Sequence, residues 1–110
     1  TGSRAVTAYI IIVEFTIDAA DMATFLAHML ANARTTLQRE AGCERFDVLR
    51  PAGSSDRILL YEVYRDRAAF DLHGTTPHYL AFAAATAALI RNKSVTVYGL
   101  VTDPTSAAAA

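Results

Sequence analysis

Several residue types that mark specialised proteins are scarce in this chain. Its 110 residues include one cysteine, no tryptophan and three prolines. The single Cys43 excludes an internal disulfide and is typical of a reducing compartment. No signal peptide is recognisable, and the apolar runs at residues 8–13 and 79–90 are too short to cross a bilayer. We therefore expect a cytoplasmic protein that does not enter a membrane.

Charge of either sign is also scarce. Asp, Glu, Lys and Arg together make up 19% of the chain, and the formal net charge is −1. Because no basic cluster is present, we expect no binding to nucleic acid or to anionic membranes. Hydrophobic residues, by contrast, make up 53%, which is a high share for a single small domain. This excess indicates that some apolar surface is buried against a partner chain.

β-Branched and aromatic residues are concentrated in four short segments that predict β-strands. The predicted strands cover residues 7–16, 43–50, 57–65 and 94–101. The segment between the second and third strands is rich in turn-forming residues and predicts a hairpin connection. Residues 7–102 are therefore expected to form one domain, with a flexible leader at residues 1–6 and a flexible tail at residues 103–110.

The first predicted helix lies between the first two strands. It begins at Asp18, where Asp21 three residues further on gives the spacing of a capping box, and it ends at residues 41–42. Its apolar residues fall on one stripe formed by Met22, Phe25, Leu26, Met29, Leu30, Ala33 and Leu37. A stripe of this spacing predicts a helix that packs on one face of a sheet.

The second helical region is interrupted. A short helix begins at the predicted cap Asp66 and runs to His73, and a long helix covers residues 77–91. Between them, Gly74 is a natural helix terminator, because glycine takes the left-handed conformation without steric cost. Thr76 then has the position of an N-cap, directly before a proline at the first helical position.

The interruption places two histidines at opposite helix ends. His73 lies at a C-terminus, where the helix dipole favours the charged imidazole, and His78 lies in a first turn, where the dipole favours the neutral one. Two groups with separated proton affinities are suited to acid–base chemistry near pH 7. The alternative is that both histidines are polar caps at a surface corner.

The predicted order of elements is β-α-β-β-α-β. This order is typical of the ferredoxin-like α+β fold, an antiparallel four-stranded sheet with both helices on one face. In the first strand, Ile10 and Ile12 point to one face of the sheet, and Ile11 and Val13 point to the other. Because the helices cover one face only, we expect the other apolar face to pack on a second copy and form a homodimer.

Five short motifs follow one another along the chain. They are Asn32-Ala33-Arg34, Glu40-Ala41-Gly42-Cys43, Arg45-Phe46-Asp47-Val48-Leu49, Tyr61-Glu62-Val63-Tyr64 and His73-x-x-Thr76-Pro77-His78. In these motifs, over residues 9–100, the chain resembles the antibiotic biosynthesis monooxygenase family. The resemblance implies a ferredoxin-like fold assembled as a dimeric α/β barrel.

The family includes enzymes with two kinds of chemistry. Some members are oxygenases that act on quinols or polyketide phenols without metal or flavin. Another member is an isomerase of the phosphorylated autoinducer-2 signal, and residues 46–49, 61–62 and 75–79 are especially similar to that branch. The absence of tryptophan argues against the haem-degrading relatives. Since no helical metal motif and no Gly-rich phosphate loop are present, we expect no metal and no other cofactor.

The candidate catalytic residues are His73, Glu62 and Asn32. Glu62 lies in a mostly apolar strand, where burial would raise its pKa towards the range of a general base. A salt bridge from Glu62 to Arg45 or Arg65 is the structural alternative. Asn32 either lines the cavity, as the resemblance implies, or is an ordinary amide on the flank of the helix.

Three further residues are candidates for substrate binding: His78, Tyr79 and Tyr64. Tyr79 follows His78 at the start of the long helix, and Tyr64 shares a strand face with Glu62. His28 is expected to be a solvated residue of the first helix. Cys43 has no basic group beside it in sequence and is expected to be a small buried hydrophobe.

Three functions are compatible with these residues. The leading hypothesis is a cofactor-independent monooxygenase, in which His73 or Glu62 deprotonates a small enolic or phenolic, quinol-like substrate and the carbanion reacts with O2. The first alternative is an isomerase of a phosphorylated hydroxydiketone, which needs the proton transfer alone. The second alternative is a non-catalytic dimeric module that binds a small ligand.

Overall fold

The computed structural model of the chain describes residues 8–102. The predicted leader at residues 1–6 and the predicted tail at residues 103–110 lie outside this range. The strands are β1 (Tyr9–Ile17), β2 (Cys43–Leu49), β3 (Arg57–Tyr64) and β4 (Ile90–Gly99). The α-helices are α1 (Met22–Arg39), α2 (Arg67–His73) and α3 (Pro77–Thr86), and 3-10 turns precede α1 at Ala19–Asp21 and follow α3 at Ala87–Leu89. This order confirms the predicted ferredoxin-like α+β fold.

The four strands form one antiparallel sheet in the order β2-β3-β1-β4. In its register, Ile11 of β1 lies between Glu62 of β3 and Val97 of β4. The face that carries Ile11 packs against the helices, and its side chains from β1 and β3 are buried. The core between the sheet and the helices includes Ile11, Val13, Phe15, Phe25, Met29, Ile58, Leu60 and Phe82.

The buried face of α1 differs from the predicted stripe. Leu30 and Leu37 were expected in the core, but they are 47% and 48% exposed. Asn32 and Thr36 are buried instead, because at 3.6 residues per turn they lie on the same face of α1 as the buried residues Phe25, Met29 and Ala33. The hydroxyl of Thr36 donates to the backbone carbonyl of Asn32 at 2.8 Å, which satisfies its polar group within the helix.

Two of the three predicted helix caps are confirmed. The carboxylate of Asp66 accepts a hydrogen bond from the backbone N–H of Ala69 at 2.9 Å, and the hydroxyl of Thr76 accepts one from Tyr79 at 3.3 Å. The prediction for Asp18 is wrong, because its side chain forms no cap bond. Its carboxylate pairs instead with the guanidinium of Arg91 at 2.6 Å.

The break between α2 and α3 is present, but its backbone differs from the prediction. Gly74 has φ −64° and ψ −12°, so it is right-handed rather than left-handed. The amides of Thr75 and Thr76 bond three residues back, to the carbonyls of Leu72 and His73. These consecutive tight turns satisfy the end of α2 without a left-handed residue.

The predicted long helix over residues 77–91 is too long by five residues. α3 ends at Thr86, whose hydroxyl donates to the backbone carbonyl of Phe82 at 2.8 Å. After the 3-10 turn, Ile90 already pairs with Ile17 of β1, next to an irregularity in the register. β4 therefore starts at Ile90 rather than at residue 94, because its pairing with β1 extends to the end of that strand.

The absence of a side chain at Gly42 allows α2 to pack closely against the start of β2. A Cβ atom on Gly42 would lie 2.5 Å from the Cβ of Ala69, so a larger residue would push α2 away. The carbonyl of Gly42 also accepts a hydrogen bond from the backbone N–H of Arg65 at 2.8 Å. These contacts hold α2, and with it His73, near the end of α1.

The outer face of the sheet carries apolar side chains that none of the helices α1, α2 and α3 covers. Ile10 and Ile12 of β1 and Leu59 and Tyr61 of β3 point to this face and are partly exposed. Tyr98 of β4 lies beside them and is 50% exposed. This surface is the basis of the predicted homodimer, which stays a prediction. Among residues 8–102, no helix is both long and apolar enough to span a membrane.

We predict that the chain forms a homodimer through this outer face. The substitution Leu59→Asp should shift the protein towards monomer, because it places a charge within an apolar interface. Sedimentation velocity at micromolar concentration measures the change, and Leu37→Asp on the exposed flank of α1 is the matched control. A wild-type protein that sediments as a monomer would contradict the prediction.

Candidate active site

The candidate site lies where the ends of three helices meet. Glu40 follows the last residue of α1, His73 is the last residue of α2, and His78 is the second residue of α3. One carboxylate oxygen, Oε2 of Glu40, lies 2.8 Å from Nδ1 of His73 and 2.5 Å from Nε2 of His78. We call these three residues the Glu–His–His cluster.

The cluster fixes which nitrogen of His73 is available for chemistry. Glu40 and His73 are 9% and 4% exposed, so a buried carboxylate needs donors at short range. An ionised Glu40 accepts only, and His73 then carries its proton on Nδ1. The other ring nitrogen, Nε2, keeps its lone pair and can accept a proton. A carboxylate that orients an imidazole in this way also stabilises the imidazolium when it forms.

Burial lowers the pKa of His73 below its usual value, and the hydrogen bond and charge of Glu40 oppose this effect only in part. The prediction that the helix dipole would favour the charged imidazole is therefore wrong in direction. Desolvation outweighs the dipole because the ring is enclosed rather than exposed at the helix end. A neutral His73 at pH 7 is ready to act as a base.

Aromatic rings surround His73 on several sides. Its ring centroid lies 5.0 Å from that of Tyr79, 5.7 Å from that of Tyr64 and 6.2 Å from that of Phe46. The alternative that His73 and His78 are caps at a surface corner therefore does not hold for His73. Its imidazole is part of the interior, where its hydrogen-bond partner among residues 8–102 is Glu40.

Glu62 is a second buried acid on the helix-facing side of β3. It is 4% exposed, and its carboxylate accepts a hydrogen bond from the hydroxyl of Tyr64 at 2.5 Å. Burial raises the pKa of Glu62 to about 7, although the bond from Tyr64 and the charge of Lys93 act in the opposite direction. Burial also raises the pKa of Tyr64 well above its usual value, so its hydroxyl stays a donor.

The two arginines considered as partners of Glu62 bind other carboxylates. Arg45 pairs with Asp47 at 2.6 Å, and Arg65 lies 3.8 Å from Asp66. The ion pairs of residues 8–102 thus join Arg45 and Arg65 to other carboxylates, and the predicted structural alternative, a salt bridge that neutralises Glu62, is not found within this range. Burial raises the pKa of Glu62, and the bond from Tyr64 and the charge of Lys93 lower it in part, as expected for a carboxyl group suited to general-base chemistry.

His73 and Glu62 line the same cavity, between the sheet and the corner formed by α2 and α3. The cavity has a volume of about 250 Å³. Its apolar walls are Ile11, Val13, Phe15, Leu60, Phe70 and Val95. Tyr79 and Lys93 also line it. An enclosure that is mostly apolar, with a few convergent polar groups, is typical of a site for a small molecule.

Three of the predicted site residues do not line this cavity. Asn32 and His78 line a separate groove of about 330 Å³ between α1 and α3. The side-chain oxygen of Asn32 is buried without a hydrogen-bond partner among the described residues. Tyr64 is fully buried behind Glu62. The structure thus brings together His73, Glu62 and Tyr79, and it places Asn32, His78 and Tyr64 around them.

The two residues set aside on sequence grounds lie where they were expected. His28 is an exposed residue of α1. Cys43 is buried, and burial raises the pKa of its thiol to about 12, which leaves it unreactive at neutral pH.

Sequence reasoning missed Glu40 and Lys93. One signal for Glu40 was present, because an acidic residue at the C-terminus of a helix is opposed by the helix dipole and needs a partner. Its partners lie 33 and 38 residues away in the chain, so their identity could not be read from local spacing. Lys93 enters the cavity from β4, a strand whose predicted start was at residue 94.

The Glu–His–His cluster also offers three potential metal ligands, whose donor atoms lie within 4.8 Å of one another. Two ligands on one tetrahedral zinc ion, each bonded at about 2.0–2.1 Å, are about 3.3 Å apart. The contacts to Glu40 Oε2 at 2.8 Å and 2.5 Å are shorter than this and are hydrogen-bond distances. Metal binding would therefore require the three side chains to spread.

Comparison with known proteins gives the family. Residues 8–85 match the family model described as "Antibiotic biosynthesis monooxygenase". The chain belongs to this family. The match covers more than half of the chain and contains the Glu–His–His cluster, Glu62 and Tyr79.

Among curated proteins, the chain is similar to isomerases of (4S)-4-hydroxy-5-phosphonooxypentane-2,3-dione. It is 41% identical over 70 residues to the enzyme of Klebsiella pneumoniae, a match that covers 64% of this chain and 70% of the relative. It is 46% identical over 41 residues to an Escherichia coli enzyme of the same name. The second match covers 37% of this chain and less than half, 43%, of that relative.

Solved structures of other proteins have the same fold. A Nitrosomonas europaea protein provisionally named an antibiotic biosynthesis monooxygenase superposes with a TM-score of 0.82 and 28% identity, covering 86% of this chain and 91% of that one. A Mycobacterium tuberculosis protein superposes with a TM-score of 0.80 and 29% identity, covering 87% of this chain and 97% of the other.

We predict that the purified protein carries no stoichiometric metal, flavin or haem. The side chains of the Glu–His–His cluster contact one another at hydrogen-bond distances, so their donor atoms are not spaced to coordinate an ion. Elemental analysis and a visible absorption spectrum test this expectation. One equivalent of zinc that is lost in the variant His78→Ala would contradict it and would locate the metal in the cluster.

A second prediction concerns the buried carboxyl of Glu62. Below pH 4.5 it is protonated in both the folded and the unfolded protein. Between pH 4.5 and about 7 the unfolded chain releases this proton first, so stability from this group falls as the pH rises. The loss is about 3 kcal/mol and is complete above about pH 7.

Urea unfolding at pH 5 and pH 8 tests this expectation. The variant Glu62→Gln still accepts the bond from Tyr64 but does not titrate. The difference in free energy of unfolding between this variant and the wild type should therefore be more favourable to the variant at pH 8 than at pH 5. Glu14→Gln, at an exposed position on β1, is the matched control and should show no such change. An identical difference between Glu62→Gln and wild type at both pH values would show that the pKa is not raised.

Proposed function

We propose that the chain is a cofactor-independent isomerase that moves a proton between adjacent carbons of a small phosphorylated hydroxydiketone. One observation carries the proposal: His73 and Glu62, both buried, line a single apolar cavity of about 250 Å³. The names of the curated relatives from Klebsiella pneumoniae and Escherichia coli support this substrate class.

The chemistry requires one base and one enclosed substrate. In a 4-hydroxy-2,3-dione, the hydrogen on carbon 4 is acidic because it is adjacent to the carbonyl at carbon 3. Nε2 of His73 removes this proton, and the electron pair is delocalised as an enediolate over carbons 3 and 4. This proton then returns to carbon 3, and the hydroxyl proton moves from the oxygen on carbon 4 to the oxygen on carbon 3. The product has its hydroxyl on carbon 3 and its carbonyl on carbon 4.

The surrounding residues assist this transfer in separate ways. Glu40 holds His73 through Nδ1 and stabilises the imidazolium formed after proton removal. His78 binds the same oxygen of Glu40 and is proposed to act through it. Tyr79 lines the cavity and is proposed to bind a substrate oxygen, and Tyr64 orients Glu62. The apolar walls limit water, which would otherwise protonate the enediolate at random.

A cofactor-free monooxygenase is the second candidate. The family description and the name of the Nitrosomonas europaea structure favour it. The same base would deprotonate an enolic or phenolic substrate, and the electron-rich carbanion would reduce O2. One oxygen atom would enter the substrate and the other would leave as water. For this reaction His73 keeps the same role, and Asn32 has no assigned contact with the substrate.

Two measurements made in parallel separate these candidates. The isomerase should convert the phosphorylated hydroxydiketone to the 3-hydroxy-2,4-dione in the absence of oxygen, as followed by NMR. The monooxygenase should consume O2 in proportion to the product formed from a panel of quinols. Oxygen uptake with quinols, together with no turnover of the hydroxydiketone, would contradict the proposed isomerase.

We predict that His73→Asn lowers turnover by about 10²–10⁴-fold, the usual range for one positioned proton-transfer group. Asparagine can still donate to Glu40 from the position of Nδ1, but it lacks the basic Nε2. The exposed His28→Ala on α1 is the control and should retain turnover. Near-wild-type turnover in His73→Asn, with turnover lost in Glu62→Gln, would show that Glu62 is the base.

A further inference from the structure

Lys93 brings a positive charge to the cavity from β4. In the sheet register it lies opposite Phe15, so its side chain shares the helix-facing side with Phe15 and Val95. Its ammonium lies 5.7 Å from the centre of the Phe15 ring. The ion pairs formed by residues 8–102 do not include Lys93, so its charge is available to a ligand.

The other titratable groups of the cavity cancel this charge only in part, although Lys93 and Glu62 lie close enough for their charges to interact. Glu62 is protonated in part at neutral pH, because burial raises its pKa to about 7, and burial keeps His73 neutral. Asp71 also lines the cavity, but its carboxylate pairs with Arg67 at 3.6 Å. The cavity therefore has a positive end on β4 and an uncharged end at His73.

We propose that Lys93 binds the phosphate monoester of the substrate and thereby fixes which carbons face His73. The inference rests on the proposed function and deepens it, because it names the residue that selects a phosphorylated substrate. An ammonium at the edge of an apolar cavity is suited to a dianion, since the phosphate oxygens keep contact with solvent while the carbon chain is enclosed.

Lys93 and Glu62 lie at different levels of the cavity wall. Glu62 lies opposite Ile11 and Lys93 opposite Phe15, so the two backbone positions are four residues, or about 13 Å, apart along β1. A substrate that extends along β1 therefore places its carbon chain beside Glu62 while its phosphate monoester reaches towards the ammonium of Lys93.

Steady-state kinetics with two substrates test the inference. The phosphorylated hydroxydiketone and the same compound without its phosphate are compared on the wild type, Lys93→Met and Lys93→Arg. Lys93→Met should raise KM for the phosphorylated compound roughly 10- to 100-fold, the usual effect of losing a hydrogen bond to a charged group. Its kcat should change little, because His73 and Glu62 are intact, and Lys93→Arg should restore most of the affinity.

The control substrate and a control variant make the result specific. For the compound without phosphate, Lys93→Met and the wild type should have equal KM. Arg57→Met, which removes an exposed cation outside the cavity, should change neither substrate. An equal rise in KM for both compounds, or no rise for either, would overturn the role of Lys93.

A failure of the proposed function gives a different pattern. If the wild type does not turn over the hydroxydiketone, binding of dihydroxyacetone phosphate and of dihydroxyacetone is compared by NMR titration. Binding of the phosphate ester alone, lost in Lys93→Met, supports the anion site even though the proposed reaction fails. Equal binding of the two compounds, or binding that Lys93→Met does not change, overturns the site.

Discussion

The buried carboxylate of Glu40 is the group on which the arrangement of the helices depends. It follows the end of α1, and one of its oxygens contacts the last residue of α2 and the second residue of α3. A carboxylate enclosed to this degree is costly unless donors reach it. The chain meets that need at Oε2 of Glu40 by bringing His73 and His78 to it, whereas Oε1 is buried without a partner among residues 8–102. The position of His73 in the cavity therefore follows from the packing of three helix ends.

Local sequence signals were sufficient for most of the fold. Turn residues, caps such as Asp66 and Thr76, and the alternation in β1 and β3 act within a few residues of the elements they define. The errors occur where tertiary pairing decides. Arg91 belongs to β4 because β1 continues to pair there, and Asp18 is held by Arg91 rather than by its own helix.

The site was less predictable, because its chemistry depends on contacts between distant segments. His73, Glu62 and Tyr79 could be selected from their residue types and from the family resemblance. The direction in which the pKa of His73 is shifted could not be predicted, because it depends on how far the ring is buried. Asn32 shows a related difficulty, since a helix-flank position in the sequence became a buried position once α1 turned against the sheet.

Substitutions in the edge strand β4 should affect stability less than substitutions in the rest of the cavity wall. Val95 and Val97 are 50% and 48% exposed, although they lie on the helix-facing side of the sheet. Substitutions at such exposed positions usually alter stability by less than about 0.5 kcal/mol, whereas changes at Glu40 or Glu62 disturb buried polar groups. The cavity wall formed by β4 can therefore be redesigned for a different ligand at little cost in stability, whereas the wall formed by β3 and the helix ends cannot.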